Sequence, residues 1–176
     1  MENKIVDELK NSIRSIPDFP KPGILFRDIT TLLKDGNKFK DAVEIIAQQY
    51  LEKKIDKVVA VEARGFIFGA AIAYKLGAGF VPVRKKGKLP AKTQQVSYDL
   101  EYGTDTLQIH CDAIEPKDKV LIVDDLLATG GTAKAACELI EKSKAEITGI
   151  EFLIELVALK GKEKLKGYPV NSIIKF

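Results

Sequence analysis

The sequence predicts an α/β protein built on a mostly parallel central sheet flanked by helices. Three observations predict it. Two short β-branched runs, KVVAV (57–61) and KVLIVDD (119–125), read as strands buried on both faces. A segment of helical periodicity follows each of them. Strand–helix–strand order then recurs along the chain, the pattern of a doubly wound sheet.

The elements follow in order. Residues 3–16 place Ile5, Val6, Leu9, Ile13 and Ile16 on one stripe, which predicts an amphipathic helix. In IPDFPKPG (16–23) three prolines and a glycine forbid helix and impose an extended path. Phe39, Ala42, Val43, Ile46, Ala47, Tyr50 and Leu51 keep a 3.6-residue period, so a second helix is expected over 37–52. After the strand 57–61 come a helix over 66–76 and a strand over GFVPV (79–83). RKKGKLPAKT, from Arg84 to Thr93, turns basic and polar and reads as an exposed loop. Residues 97–111 read as a hairpin hinged near Gly103, 119–125 as a buried strand and 130–144 as a helix. A long strand over 147–159 and a short terminal one over 171–176 complete the pattern. The length of 176 residues, with no repeat, linker or low-complexity tract, favours one domain with a small N-terminal elaboration.

Composition narrows the class. Hydrophobic residues make up 45% and charged residues 30%, an ordinary globular balance. A net charge of +3 is too small to argue for nucleic acid or a membrane surface. Cys111 and Cys137 stand in no CxxC pattern, so a disulfide framework or zinc site is not expected and a reducing cytoplasm fits. The N-terminal stretch carries acidic residues where a signal peptide needs an apolar run. His110, the sole histidine, sits in an alternating strand pattern and reads as structural. Gly65 and Gly69 indicate close helix packing at most.

The most informative segment is VLIVDDLLATGGTAKAA, 120–136. It reads as a buried strand, two acids at its end, a turn and a helix. In an open α/β sheet, ligands sit at the carboxyl ends of strands. Ala128, Thr129, Gly130, Gly131 and Thr132 would form a turn of backbone N–H donors at a helix N-terminus, which suits a phosphate. Asp124 and Asp125 beside a phosphate are electrostatically wrong unless they serve another group, and ribose hydroxyls donate to carboxylates. Sugar, phosphate and spacing agree on a ribose 5-phosphate. The alternative is a strand, turn and helix with no ligand. No GxxxxGK[ST] P-loop and no strand-linked GxGxxG is present.

This segment resembles the phosphoribosyl diphosphate (PRPP) signature of the type I phosphoribosyltransferases. The resemblance extends to IPDFPKPGILFRDIT (16–30), VEARGFIFG (61–69), RKKGKLP (84–90), DLEYG (99–103) and ELVALKG (155–161). The PDFP-PG-F-RDI stretch is similar to the adenine-specific members of that family. The resemblance implies the type I fold, with a base-binding hood within 1–35 and a flexible lid over 84–104. It implies purine salvage: adenine and PRPP giving AMP and pyrophosphate, with Mg2+ carried by PRPP rather than by a dedicated cage, in a homodimer.

The same resemblance assigns roles. Leu25 would offer its backbone N–H and C=O to the adenine edge. That edge shows an acceptor at N1 and a donor at the 6-amino group; a 6-oxopurine reverses the pattern and leaves buried polar groups unpaired. Phe26 would stack on the base or serve as a core aromatic, and Arg27 would hold the hood or approach the base. Leu156 would add an aliphatic face. Glu62, Ala63, Arg64 and Gly65 form the expected pyrophosphate loop, with a non-proline cis peptide expected at Ala63–Arg64. Arg64 would meet phosphate oxygens or the base, or else pair with an acid. Arg84 and Lys88 are candidates to bind pyrophosphate, or to reach across a dimer interface. Glu101 would hold or relay the purine proton while Tyr102 shields the ribose. Other purine phosphoribosyltransferases and PRPP-sensing transcription regulators are rivals. The adenine-type hood argues against the first, and the small net charge against the second.

Overall fold

The protein is described by a computed structural model that covers residues 2–99 and 103–176. The chain folds as two compact units, residues 1–45 and 46–176.

The N-terminal unit begins with α1 (Glu2–Ser12), whose Leu9 is buried. The apolar stripe runs on to Ile16, yet the helix stops at Ser12. Residues 14–16 are claimed instead by a two-stranded ladder, β1 (Arg14–Ile16) against β2 (Phe26–Asp28). Periodicity alone cannot register that long-range pairing. Between the strands the chain turns tightly. The Asp18 carboxylate accepts the Gly23 N–H at 2.7 Å, the Phe19 N–H donates to the Ile24 carbonyl at 3.2 Å, and Phe19–Pro20 is cis. Asp28 is buried and accepts from the Arg14 guanidinium and, at 2.9 Å, from the Thr30 amide at the entry of α2 (Thr30–Leu33). The next helix, α3 (Gly36–Gln48), ends four residues before the expected limit, and Tyr50 and Lys53 continue as turns.

The second unit is organised around a seven-stranded sheet in the order β5-β6-β4-β3-β7-β8-β9. These strands are β3 (Lys57–Val61), β4 (Gly79–Lys85), β5 (Thr93–Asp99), β6 (Thr104–His110), β7 (Lys119–Leu127), β8 (Glu146–Glu155) and β9 (Val170–Lys175). Strands β4, β3, β7, β8 and β9 pair in parallel, whereas β6 is antiparallel to β4 and to β5. The sheet is therefore mostly parallel, as the β-branched runs predict. Helix α4 (Arg64–Leu76) follows β3, and α5 (Gly131–Lys142) follows β7. The buried face of α5, Ala133, Ala136, Cys137 and Ile140, packs in one apolar cluster with Val59, Ile122, Ile150 and Phe152 of the sheet. Helix α4 lies close to β3: a Cβ on Gly69 would fall 2.5 Å from the Ala60 Cβ, the close packing that the Gly65–Gly69 spacing indicates.

Several boundaries in this unit differ from the sequence expectation: β4 runs on to Lys85, two residues into the expected basic loop, and α4 starts at Arg64 rather than Phe66. Strand β5 starts at Thr93 rather than Ser97, because the polar run Thr93, Gln94, Gln95 pairs with His110, Ile109 and Gln108, and Gln108 donates to Gln95 at 3.1 Å. Strand β7 runs two residues past its acids, to Leu127. Strand β8 ends at Glu155. The apolar residues beyond it turn into a short 3-10 helix, Val157–Leu159, with Val157 and Leu159 both 48% exposed. A second 3-10 turn, Gly161–Leu165, precedes β9. Among the described residues no helix is long and apolar enough to cross a membrane.

One buried polar group marks the β8–β9 seam. Glu151 is fully buried, accepts from the Tyr50 hydroxyl at 2.7 Å and from Asn171 at 3.2 Å, and is pushed up by its burial.

Asp28 gives the N-terminal unit a pH dependence. Hydrogen bonds from Thr30 and Arg14 hold its carboxyl at about 2, below the ordinary value of 3.8. A depressed carboxyl stabilises the fold above its unfolded pKa and loses that contribution as pH falls through the folded one. Wild type is therefore expected to melt above Asp28→Asn at pH 7, with the gap closing as pH drops from about 4 towards about 2. Thermal melts followed by circular dichroism across that range test this, and a gap independent of pH would refute it.

Candidate active site

The carboxyl ends of β3 and β7 lie side by side, and the turns that leave them form the candidate site. Strand β7 delivers Asp124 and Asp125, then the chain turns through Ala128 and Thr129 into α5. Gly130 is the N-cap residue of that helix, at φ 80° and ψ 0°, and no side chain caps the first turn. The φ requires glycine, since an L side chain is strained there. The leading N–H groups of a helix have no intrahelical acceptor, so Gly131, Thr132 and Ala133 present donors along the helix dipole. Thr129 is exposed and Ala128 half-buried. A cavity of about 80 Å³ opens over this turn, lined by Asp124, Leu127, Thr129, Gly131, Thr132 and Phe152 among others. That volume holds a few waters or one tetrahedral oxyanion.

The turn after β3 meets β7 edge-on. A Cβ on Gly65 would sit 2.6 Å from Asp124 Oδ1 and 3.3 Å from the Val123 carbonyl oxygen, so only glycine lets the 62–65 turn reach the acids. The cis non-proline peptide lies at Glu62–Ala63, one bond earlier than Ala63–Arg64. Ala63 already holds near-helical angles (φ −107°, ψ −37°) as the N-cap of α4, and its carbonyl accepts from Phe66. The Ala63–Arg64 bond therefore belongs to the helix entry, where a trans peptide is needed.

Arginines take up two of the acids. Arg64 Nη2 lies 2.8 Å from Asp125 Oδ2 in an ion pair buried on the Asp125 side, the acid-pairing reading of Arg64 that the sequence leaves open. Arg84 forks across Glu62 at 2.9 and 3.0 Å, and its other nitrogen donates to the Lys88 carbonyl at 2.9 Å. That fork holds the Glu62 carboxyl below its usual range. Asp124 and Asp125 behave differently. Burial, then the neighbouring Asp125 charge, pushes the Asp124 carboxyl well up, and Asp124 accepts the Asp125 amide at 2.9 Å. Burial also raises Asp125, against the pull of Arg64. The adjacent acids thus sit where ionising both is unfavourable, a perturbation typical of functional sites.

The second unit accordingly brings together Glu62, Ala63, Arg64, Asp124, Asp125 and the 128–132 turn, with Arg84 tied in through Glu62. Lys88 is exposed at a turn of the basic loop. Leu156, half-buried, donates its N–H to the Leu127 carbonyl at 2.9 Å just beyond β8. Leu25, Phe26 and Arg27 belong to the N-terminal unit. There Leu25 is 47% exposed, Phe26 meets Phe19 edge-on at 5.1 Å, and Arg27 donates to the Ser15 hydroxyl at 2.5 Å. Glu101 and Tyr102 lie outside the described residues. His110 accepts the Ala91 N–H at 3.4 Å, and burial pushes the Cys137 thiol up to about 12, a structural cysteine. One neighbour of the site escaped the sequence reading: Tyr98, whose hydroxyl lies 3.4 Å from Thr132 Oγ1. Alternation in β5 gave only a face for it.

Relatives share this architecture over its whole length. The profile of the phosphoribosyl transferase domain family matches residues 30–173. An adenine phosphoribosyltransferase of Geotalea uraniireducens is 59% identical over 171 residues, 97% of this chain and 100% of that one. One from Clostridium kluyveri is 60% identical over 168 residues, 96% and 98% of the two chains. The crystal structure of adenine phosphoribosyltransferase from Thermoanaerobacter pseudethanolicus superposes with a TM-score of 0.94 at 54% identity, covering 97% and 99%. That from Saccharomyces cerevisiae, complexed with an imino-altritol 1,6-bisphosphate and adenine, gives 0.92 at 41%, covering 98% and 99%. With a family match across most of its length and relatives of that identity and coverage, the chain belongs to the phosphoribosyltransferase family and, within it, to the adenine phosphoribosyltransferases.

Proposed function

We propose that this enzyme joins adenine to PRPP, giving AMP and pyrophosphate, with the 5-phosphate seated in the 128–132 turn. The observation that carries the reading is that uncapped turn at the head of α5, directly behind two carboxyls. An anion belongs on the amides, and a hydrogen-bond donor on the acids. A ribose 5-phosphate has both at the required spacing.

At the reacting carbon the C1–oxygen bond to pyrophosphate breaks, adenine N9 forms the new bond from the opposite face, and the N9 proton is lost. Positive charge develops on the ribose and negative charge on the leaving oxygens. Asp124, half-buried, accepts a ribose hydroxyl. Asp125, buried against Arg64, accepts a second. Anchored at both ends, the sugar presents C1 to the base, and that orientation lowers the barrier. Arg64 and the Glu62–Ala63 turn face the leaving group, and Arg84 and Lys88 add positive charge from the basic loop. Leu25, Phe26 and Leu156 take the base, with Arg27 steadying the hood through Ser15. Glu101 receives the purine proton and Tyr102 covers the ribose.

Mg2+ would be held mainly by PRPP oxygens, since Glu62 and Asp125 are each engaged by an arginine. Bound so, the ion would offset charge on the departing pyrophosphate. The free thiols Cys111 and Cys137 suit a cytoplasmic location.

A homodimer is part of the same reading. Helix α4 and the start of β4 expose Tyr74 (90%), Ile67 (40%) and Phe80 (37%), an apolar surface suited to a second copy. Sedimentation equilibrium at micromolar concentration should give twice the chain mass; a single-chain mass would remove the dimer.

For the base, the test supplies Mg2+ and PRPP with one purine at a time and follows pyrophosphate release. Adenine should exceed guanine and hypoxanthine by roughly 10³-fold or more in kcat/KM, the discrimination available when a wrong base leaves buried polar groups unpaired. Equal turnover of the three would overturn the assignment.

A further inference from the structure

Two glycines meet backbone to backbone at the anion turn. A Cβ on Gly130 would lie 2.4 Å from the Gly161 carbonyl oxygen. One on Gly161 would lie 2.2 Å from the Ala128 carbonyl oxygen and 2.9 Å from Leu127 Cδ1. Residues 128–130 therefore rest directly on the Gly161 peptide, with no side chain between them. Gly130 needs glycine for its φ in any case; Gly161 lies outside the positive-φ set, so its constraint is space alone.

A polar cluster fixes the height of that peptide. Lys162, the next residue, reaches Glu155 Oε2 at 2.9 Å and donates to Ser172 Oγ at 3.3 Å. The Ser172 hydroxyl in turn donates to Glu155. Glu155 and Ser172 are each 7% exposed, so this is an interior tie from the 3-10 turn to the ends of β8 and β9. Burial would raise the Glu155 carboxyl, but its bonds from Ser172 and Lys162 outweigh that and hold it low. On the other side, Lys160 adopts a left-handed φ of 52° between the two 3-10 turns, and the Leu156 N–H ties this segment to Leu127. The segment after β8 is thus anchored on both flanks of Gly161.

We propose that Gly161 is a positioning residue for recognition of the 5-phosphate, held at its height by the Lys162–Glu155–Ser172 cluster. The inference rests on the reading of the 128–132 turn as the phosphate site. Converging N–H groups hold an anion only while their directions stay fixed, and a displacement of a fraction of an ångström splays them. The consequence is selective: a disturbed support at Gly161 weakens whatever carries the phosphate more than it weakens the base.

Steady-state kinetics on Gly161→Ala, Lys162→Met and Lys162→Arg test it, with KM for PRPP, KM for adenine, kcat and Tm measured for each. Gly161→Ala should raise KM for PRPP about tenfold or more, while KM for adenine stays within about twofold. Lys162→Met should raise KM for PRPP about threefold to tenfold, and Lys162→Arg, which keeps the charge, should return it to within about twofold. If Gly161→Ala does not fold, the two Lys162 variants decide. Tyr50→Phe breaks the separate Glu151 pairing and controls for general destabilisation: it should lower Tm without moving KM for PRPP. Thr132→Asp controls for the site itself. It sets a carboxylate where the phosphate belongs, at a helix start that tolerates acids, and PRPP saturation should be lost. A wild-type KM for PRPP in Gly161→Ala and Lys162→Met, beside a disabled Thr132→Asp, overturns the support and leaves the phosphate site standing. A KM shift in Tyr50→Phe equal to that in Lys162→Met also overturns it. A wild-type KM for PRPP in Thr132→Asp overturns the phosphate reading, and the inference with it.

Discussion

A turn that accepts an anion must keep its own N–H groups unsatisfied by the protein and yet hold them still. The two demands conflict, because unsatisfied amides are also the most mobile. In this protein the conflict is met by backbone packing. Helix α5 starts at Gly131 with no side-chain cap, which leaves its first donors facing the cavity. Rigidity comes from beneath and beside: Gly161 contacts the carbonyl side of Ala128, and Gly65 brings the neighbouring turn against Asp124. At Gly65 and Gly161 any side chain would occupy the space that makes the turn rigid. The parallel β3–β7–β8 arrangement is what places those loops within reach of one another.

Electrostatics follow from the same crowding. Placing Asp124 and Asp125 beside an anion site is unfavourable unless each has an answer. Asp125 is answered within the protein by Arg64 at 2.8 Å. Asp124 accepts the Asp125 amide, and burial, then the Asp125 charge, drives its carboxyl upward against the pull of Arg64. One turn away, the Glu62–Arg84 fork repeats the pattern of an acid neutralised internally, and it ties the root of the basic loop to the turn after β3. The two arginines thus organise acids, a role for which a planar guanidinium is suited.

How much of this could be read from the chain depends on the range of the interaction. Strands 57–61 and 119–125 were legible because β-branched runs mark buried strands. The turn at the head of α5 was legible because two acids, a Thr–Gly–Gly–Thr run and a helical period are adjacent in sequence. What escaped was long-range. The apolar stripe of residues 3–16 could not reveal that Arg14–Ile16 pairs with Phe26–Asp28. Gln94 and Gln95 looked like loop because the partners that make them strand are Ile109 and Gln108. The partner of Arg64 among several acids was a spatial fact, as was the placement of Gly161 31 residues after Gly130. The residues assigned by resemblance divide the same way. Those of the strand ends assemble in one place, the hood residues sit in the N-terminal unit, and Glu101 and Tyr102 lie outside the described residues.

The central claim is that the amides of residues 129–132 hold the phosphate of the nucleotide. A crystal structure of the protein with AMP tests it most directly. The account predicts the phosphate oxygens within about 2.7–3.2 Å of those main-chain nitrogens, with ribose hydroxyls turned to Asp124 and Asp125. A nucleotide whose phosphate lies on the basic loop of residues 84–93, with only solvent over the 128–132 turn, would contradict it.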